Sequence, residues 1–300
     1  MTKSINVLSL FDGMSCAQIA LNRLDVKYDK YYASEVDKHA IKVTNTNYPN
    51  TIHLGDVTEW HKWNIDWENI DLLMGGTPCQ DFSQARLSHK DKSVRQIKGL
   101  RGRKSSLFYE YLDILNHIKS KNKNIKFLLE NVKMKKESEI ALNDYLGVDG
   151  VHINSKLVTF QSRPRIYWAN WQFDQPDDLD ISFQENKSTT QKNIDEAIVN
   201  KTPSRIRMWN NGNGRESKSN CDNITNSKKI GCLTGKQDRC PNSGLVAYKD
   251  FCRYLTRDEM EKAQTVPVGY TDCLSYNQAQ KVLGNGWTVD VVCHILKGMK

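Results

Sequence analysis

Between residues 5 and 170 the chain repeats one alternation, a short apolar run followed by a segment of helical periodicity. That alternation admits few folds other than a mostly parallel sheet flanked by helices. Strands are expected at Ile5 to Leu10, Lys30 to Ser34, Asp71 to Met74, Ile125 to Glu130 and Arg165 to Ala169, and helices at Ala17 to Leu24, Lys38 to Asn47, Leu107 to Lys119 and Glu137 to Leu146. The third helix is the clearest, because Leu107, Tyr111, Ile114, Leu115 and Ile118 recur at helical spacing. The expected class is α/β, a Rossmann-like doubly wound sheet, whose chemistry sits outside the carboxyl ends of the strands.

From about Trp171 to Tyr248 the character changes to Asn, Ser, Lys and Gly with few apolar runs, as in Asn210-Asn211-Gly212-Asn213-Gly214. Such a stretch is either a spacer or a small recognition lobe. Apolar periodicity returns at Leu255 to Thr265 and at Ala279 to Leu296. The expected organisation is therefore a first domain over 1–170, a loop-rich lobe over 171–248, and a segment 249–300 that comes back to the first domain.

The 300 residues carry a net charge of +8, which favours a polyanionic partner. Between Gln84 and Lys104 stand Arg86, Lys90, Lys92, Arg95, Lys98, Arg101, Arg103 and Lys104, opposed only by Asp91. No apolar stretch approaches the roughly 18 residues of a membrane span, and Met1-Thr2-Lys3-Ser4 leads straight into the first strand, so a cytosolic location is expected. The eight cysteines contain no C-x-x-C pair, and the spacing of Cys221, Cys232, Cys240 and Cys252 fits no usual zinc pattern. No metal is expected.

The strand ends hold the chemistry. After Asp71-Leu72-Leu73-Met74 comes Gly75-Gly76-Thr77-Pro78-Cys79-Gln80-Asp81-Phe82-Ser83, which puts a thiol just past a buried strand, and Ile125 to Leu129 ends in Glu130-Asn131-Val132. A thiol and a carboxyl facing one crevice suit nucleophilic attack on a ring that is protonated as it is attacked. The first strand runs into Phe11-Asp12-Gly13-Met14-Ser15-Cys16-Ala17, a tight turn and a helix start. Glu35 ends the second strand, where a carboxylate can accept from two ribose hydroxyls, and Asp56 follows the next apolar stretch. An adenosyl group without phosphates fits better than a dinucleotide, because the full G-x-G-x-x-G turn is missing.

Adding Gln161-Ser162-Arg163-Pro164-Arg165, Arg253-Tyr254-Leu255-Thr256 with Glu259, and Gly284-Asn285-Gly286-Trp287-Thr288-Val289 gives an ordered set that resembles the C5-cytosine DNA methyltransferase family over nearly the whole chain. Within it, Leu10-Phe11-Asp12-Gly13, Arg165-Ile166-Tyr167-Trp168-Ala169-Asn170, Gln264-Thr265-Val266-Pro267 and Trp287 look most like the de novo branch.

The resemblance implies the methyltransferase version of the fold, with S-adenosylmethionine as methyl donor and double-stranded DNA as substrate. Cys79 would add to C6 of a flipped-out cytosine while Glu130 holds N3 and the exocyclic amine, sharing a proton with the ring. Arg165 would contact the ring's O2, and Arg163, Arg165 and the basic segment would lower the thiol's pKa. For the cofactor it implies Phe11, Asp12 and Gly13 at the methionine part, Glu35 and Val36 near the ribose and adenine, Asp56 and Val57 at the adenine, and Pro78, Asn285 and Trp287 completing the pocket. Val36 stands where many relatives present a bulkier side chain. DNA contacts would come from Ser83, Arg86, Arg101, Arg103 and Lys104, and from Arg205, Arg207, Lys236 and Arg239 in a target-recognition lobe.

Two alternatives stay open: the same chemistry on transfer RNA, as in one branch of the family, and a catalytically silent DNA-binding regulatory homologue. The compact layout suggests a bacterial or phage protein, with restriction protection or self-modification as its role. The sequence leaves open the target site and the oligomeric state.

Overall fold

The computed structural model describes residues 4–77, 106–212, 222–237 and 242–299. Two compact units divide the chain: one comprises Met1–Ile153, Pro164–Gln175 and Cys293–Lys300, the other Asn154–Arg163 and Pro176–Val292.

The first unit is built on seven strands: β1 (Ile5–Leu10), β2 (Tyr28–Ser34), β3 (Ile52–His53), β4 (Leu72–Gly76), β5 (Lys126–Val132), β6 (Val151–Asn154) and β7 (Pro164–Ala169). They lie in the order β3-β2-β1-β4-β5-β7-β6. Strands β1 to β5 pair in parallel and β7 runs antiparallel to β5. Helices α1 (Cys16–Arg23), α2 (Lys38–Asn47), α3 (Ser106–Lys121) and α4 (Lys136–Leu146) make the connections. All five strands and four helices expected from the sequence are present, with ends displaced by one or two residues. Two further strands, β3 and β6, are too short for periodicity to reveal.

Burial explains the pattern. Phe108, Tyr111, Leu112, Ile114, Leu115 and Ile118 of α3 join Leu8 and Leu10 of β1, Leu73 of β4 and Phe127 and Leu129 of β5 in one core. Each such side chain contributes about 1.5–3 kcal/mol on leaving water. Gly75 lets α3 approach β4, since a Cβ there would stand 2.9 Å from the Tyr111 ring.

The second unit contains α5 (Phe183–Asn186), α6 (Gln191–Glu196), α7 (Pro203–Gly212), the hairpin β8 (Val246–Tyr248) and β9 (Phe251–Arg253), then α8 (Arg257–Ala263) and α9 (Tyr276–Asn285). The last helix, α10 (Val289–Lys297), begins in this unit and ends in the first. Residues 249–292 belong with the 176–248 segment, and only Cys293–Lys300 rejoin the sheet unit. A buried ion pair lies within this second unit. Arg253 at the end of β9 donates to both oxygens of Glu259 at 2.8 and 2.7 Å, and Glu259 also accepts from the Ser188 and Thr256 amides. These bonds tie α8 to the residues before it. The loop-rich lobe also has its own small core of Val199, Leu245 and Cys252 with Trp209 and Phe251 packed against it. No helix among the described residues is long and apolar enough to cross a membrane.

Candidate active site

The parallel strands end together, and their register lines up the residues that follow. Leu10 pairs with Ser34 and with Gly75, Gly75 with Leu129, and Gly76 with Glu130. One step further along each strand stand Phe11, Glu35, Gly76 and Glu130, so the two expected carboxylates share one edge of the sheet.

At the β1 end the chain turns sharply. Phe11, Gly13 and Ser15 all take positive φ values, 55°, 60° and 59°. For Phe11 and Ser15 this is a sparsely populated conformation, of the kind held only where surrounding structure enforces it. Hydrogen bonds supply the enforcement. The Asp12 amide donates to Ser34 O at 3.1 Å, and the Gly13 amide to Glu35 Oε2 at 2.8 Å. Ser34 Oγ donates to Gly55 O at 2.8 Å, which joins the turn before Asp56 to the same edge.

Glu35 folds back on the backbone, its Oε1 accepting from the Val36 and Asp37 amides at 2.7 and 2.8 Å. Asp12 is enclosed. The Tyr31 hydroxyl donates to its Oδ1 at 2.6 Å and the Ser15 hydroxyl to its Oδ2. Loss of water raises its pKa to about 6; the Ser15 and Tyr31 hydroxyls pull the other way and the nearby Glu35 charge adds to the rise. Burial, together with the Asp12 charge, also pushes the Tyr31 phenol well above its usual value.

Of the other expected cofactor residues, Val36 is 68% exposed and offers a bare apolar surface beside Glu35. Asp56 is exposed and accepts from the Thr58 amide and hydroxyl, both at 2.9 Å, while Val57 is buried in the core. This donor set fits an adenosyl group. The turn presents carboxylates, an exposed aliphatic face and open space at Gly13, where a Cβ would meet nothing within 4 Å. It offers no glycine-rich amide nest for a phosphate. Asn285 and Trp287 lie in the second unit, the first exposed and the second half-buried.

At the β4 and β5 ends the geometry is tighter. Glu130 is 8% exposed, and Arg165 Nε lies 2.8 Å from its Oε1. Arg165 Nη1 also donates to Pro164 O at 2.9 Å. The neighbouring Asn131 points to the opposite face of β5 and donates to Thr77 Oγ1 at 2.8 Å. Thr77 is therefore fixed beside Asn131, two residues before Cys79 in the sequence. Pro78, Cys79, Ser83, Arg86, Arg101, Arg103, Lys104 and Arg239 lie outside the described residues, as do Cys221 and Cys240.

Arg163 belongs to the second unit, where its buried guanidinium donates to the carbonyls of Leu233, Gly284 and Gly286. Arg205 and Arg207 stand on α7, half-buried and exposed respectively, and Lys236 is exposed in a loop. Sequence reasoning missed Thr77, Tyr31 and Ser15 as supports of the site. Thr77 and Ser15 stood inside quoted motifs, whereas nothing local to Tyr31 signals that its hydroxyl reaches Asp12.

The mostly parallel seven-stranded sheet thus carries an acidic turn after β1 and, at its carboxyl end, Glu130 of β5 paired with Arg165 of β7. Residues 5–146 match the family model for the C-5 cytosine-specific DNA methylase. Among curated relatives, an orphan methyltransferase of Bacillus phage rho11s is 34% identical over 43% of this chain and 23% of its own length. The corresponding protein of Bacillus phage SPR is also 34% identical, over 26% of its length, so the chain spans about a quarter of each. A type II methyltransferase of Lactococcus lactis is 27% identical over 99% of this chain and 78% of that protein. Two solved structures share the fold: the Entamoeba histolytica methyltransferase EhMeth, with a TM-score of 0.71, 15% identity and coverage of 99% and 98% of the two chains, and a Spodoptera frugiperda DNMT2, with 0.67, 19%, 98% and 99%.

Proposed function

We propose that the protein methylates C5 of cytosine in double-stranded DNA, through a transient bond between Cys79 and C6 of the extruded base. The observation that carries this reading is the Glu130–Arg165 pair, with Thr77 bonded to Asn131 beside it. Cys79 follows Thr77 by two residues in the sequence, and the resemblance gives it the attack on a base held by that pair.

Each residue then has a defined task. Glu130 hydrogen-bonds N3 and the exocyclic amine and shares a proton with N3, which makes C6 electrophilic. The Cys79 thiolate adds there, and the electron pair displaced from the C5–C6 double bond makes C5 nucleophilic. After methylation the C5 proton is removed and the C6–S bond breaks, regenerating thiolate and double bond. Arg165 fixes the Glu130 carboxylate and contacts the ring oxygen. Bound S-adenosylmethionine supplies an electrophilic methyl group on a sulfonium; Phe11, Asp12, Gly13, Glu35, Val36 and Asp56 would hold it, with Val57 packed behind them and Pro78, Asn285 and Trp287 contributing. The base must leave the duplex, at a cost of about a few kcal/mol.

Basic residues of the 84–104 segment and of the second unit, Arg205, Arg207, Lys236 and Arg239 among them, would contact DNA, with Ser83 near the base. Phage and bacterial relatives named orphan and type II methyltransferases support a role in self-modification or restriction protection. The test is methylation sequencing of plasmid from a host expressing the protein, with purified enzyme compared on duplex DNA and folded transfer RNA. C5-methylcytosine in the plasmid supports the reading. Turnover on RNA alone would move the chemistry to the other polymer, and no methylation of either would leave only a binding protein.

A further inference from the structure

Arg163 is 4% exposed, yet among the described residues no carboxylate accepts a hydrogen bond from it. Nη2 donates to Gly284 O at 3.1 Å and Gly286 O at 2.9 Å; Nη1 donates to Leu233 O at 3.0 Å and lies 3.2 Å from Cys232 Sγ. Gly284 closes the last turn of α9, where backbone carbonyls lack helical donors and the helix dipole favours a cation. A buried charge is costly unless well compensated, and here the compensation is a cluster of carbonyls around one turn.

Gln264, fully buried, reinforces the same turn. Its Nε2 donates to Leu283 O at 2.6 Å and Gly286 O at 3.0 Å, and its Oε1 accepts from Thr288 Oγ1 at 3.0 Å and Gln161 Nε2 at 3.1 Å. Residue 284 has no room for a side chain, since a Cβ would lie 2.4 Å from the Thr234 carbonyl carbon. The backbone on both sides of Asn285 is thus held by side chains that touch only its carbonyls. Exposure follows: Gly284, Gly286 and Thr288 are buried, Asn285 is exposed and Trp287 half-buried.

We infer that Arg163 and Gln264 are positioning residues for S-adenosylmethionine binding, acting by clamping the Gly284–Gly286 turn so that Asn285 and Trp287 are presented in one fixed orientation. The inference rests on the proposed function, which gives those two residues to the cofactor. It gives Arg163 a role toward the cofactor. A lysine cannot replace it, because the rigid guanidinium fork reaches three carbonyls at once.

The test is calorimetric binding of S-adenosylhomocysteine to the full-length protein, alongside steady-state kinetics, for wild type, Arg163→Lys, Asn285→Ala and the double variant. Arg163→Lys should raise the Kd, and the KM for S-adenosylmethionine, by about tenfold, with a smaller change in kcat and none in the KM for DNA. Asn285→Ala should weaken binding in the wild-type background and have little further effect beside Arg163→Lys. Unchanged product binding in Arg163→Lys, or full additivity with Asn285→Ala, would overturn the inference. Should Arg163→Lys not fold, Gln264→Met removes two of the clamp's bonds at similar volume and carries the same expectations. A wild-type protein that binds no S-adenosylhomocysteine would instead sink the proposed function.

Discussion

Arg165 Nε stands 2.8 Å from Glu130 Oε1, yet the two residues are not directly opposite on the β5–β7 ladder. Glu130 faces Tyr167, and Arg165 faces Val132. Because side chains alternate along a strand, Glu130 and Val132 share a face with Arg165 and Tyr167, and the ion pair is the diagonal of that square. A diagonal contact suits the long arginine side chain and draws its head across the carboxylate, at the strand end where the chain leaves Thr77.

The pair makes distinct demands on its members. Glu130→Gln keeps an acceptor for Arg165 and should leave the fold intact while slowing methyl transfer by about 10²–10⁴-fold in single-turnover assays. Arg165→Met removes the guanidinium beside a nearly buried carboxylate and should lose stability too, by about 1–3 kcal/mol in denaturant titration. Near-normal rates in Glu130→Gln would remove that residue from the chemistry.

Glu35 accepts three backbone amides, two on Oε1 and one on Oε2. A carboxylate offers about four acceptor positions, so binding both ribose hydroxyls requires it to release one amide. Glu35→Ala removes the proposed sugar contact and the Gly13 anchor together, and affinity for S-adenosylhomocysteine should fall by at least about tenfold, the value of one charged hydrogen bond. Calorimetry measures this, and unchanged affinity would show that the sugar binds elsewhere.

Asp12 gives a pH signature with a definite sign. Removal from water raises its folded pKa from 3.8 to about 6, so the native state binds more protons than the unfolded state between those values. Its contribution is therefore favourable below pH about 4 and is lost as pH rises through about 6. In thermal melts across pH 4 to 8, Asp12→Asn should gain on wild type through that interval and level off above it. A gap that does not change with pH would contradict the assignment.

Glu259 tests what holds the second unit together. Its two oxygens take the Arg253 guanidinium and the Ser188 and Thr256 amides in a buried setting. Glu259→Ala leaves a buried guanidinium without its carboxylate and should cost about 3–5 kcal/mol of stability, read by chemical denaturation. A loss under about 1 kcal/mol would mean that the ion pair is not what ties α8 to the residues before it.

The sheet was legible because its strands are buried, apolar and followed by helices with regular spacing, as Leu107 to Ile118 illustrate. β3 and β6 were not, since two to four residues carry no usable period. Residues 203–212 read as loop because Pro, Ser, Arg and Asn dilute the apolar signal that α7 nevertheless uses to pack Trp209 against Phe251. For the site, the motifs named Glu130 and Arg165, but their contact depends on antiparallel register, which no local pattern encodes. Arg163 and Arg165 are two residues apart and look alike in sequence. Only the fold separates them, sending one guanidinium to a carboxylate and the other to a cluster of carbonyls.

The most direct test is covalent trapping. Duplex DNA carrying 5-fluorocytosine at the methylated site, incubated with the protein and S-adenosylmethionine, blocks the final elimination because C5 bears fluorine in place of a removable proton. A denaturation-resistant adduct should form, peptide mapping should locate it at Cys79, and Cys79→Ser should bind the same DNA without forming it. Absence of an adduct on DNA the enzyme methylates, or an adduct that survives Cys79→Ser, would contradict the account.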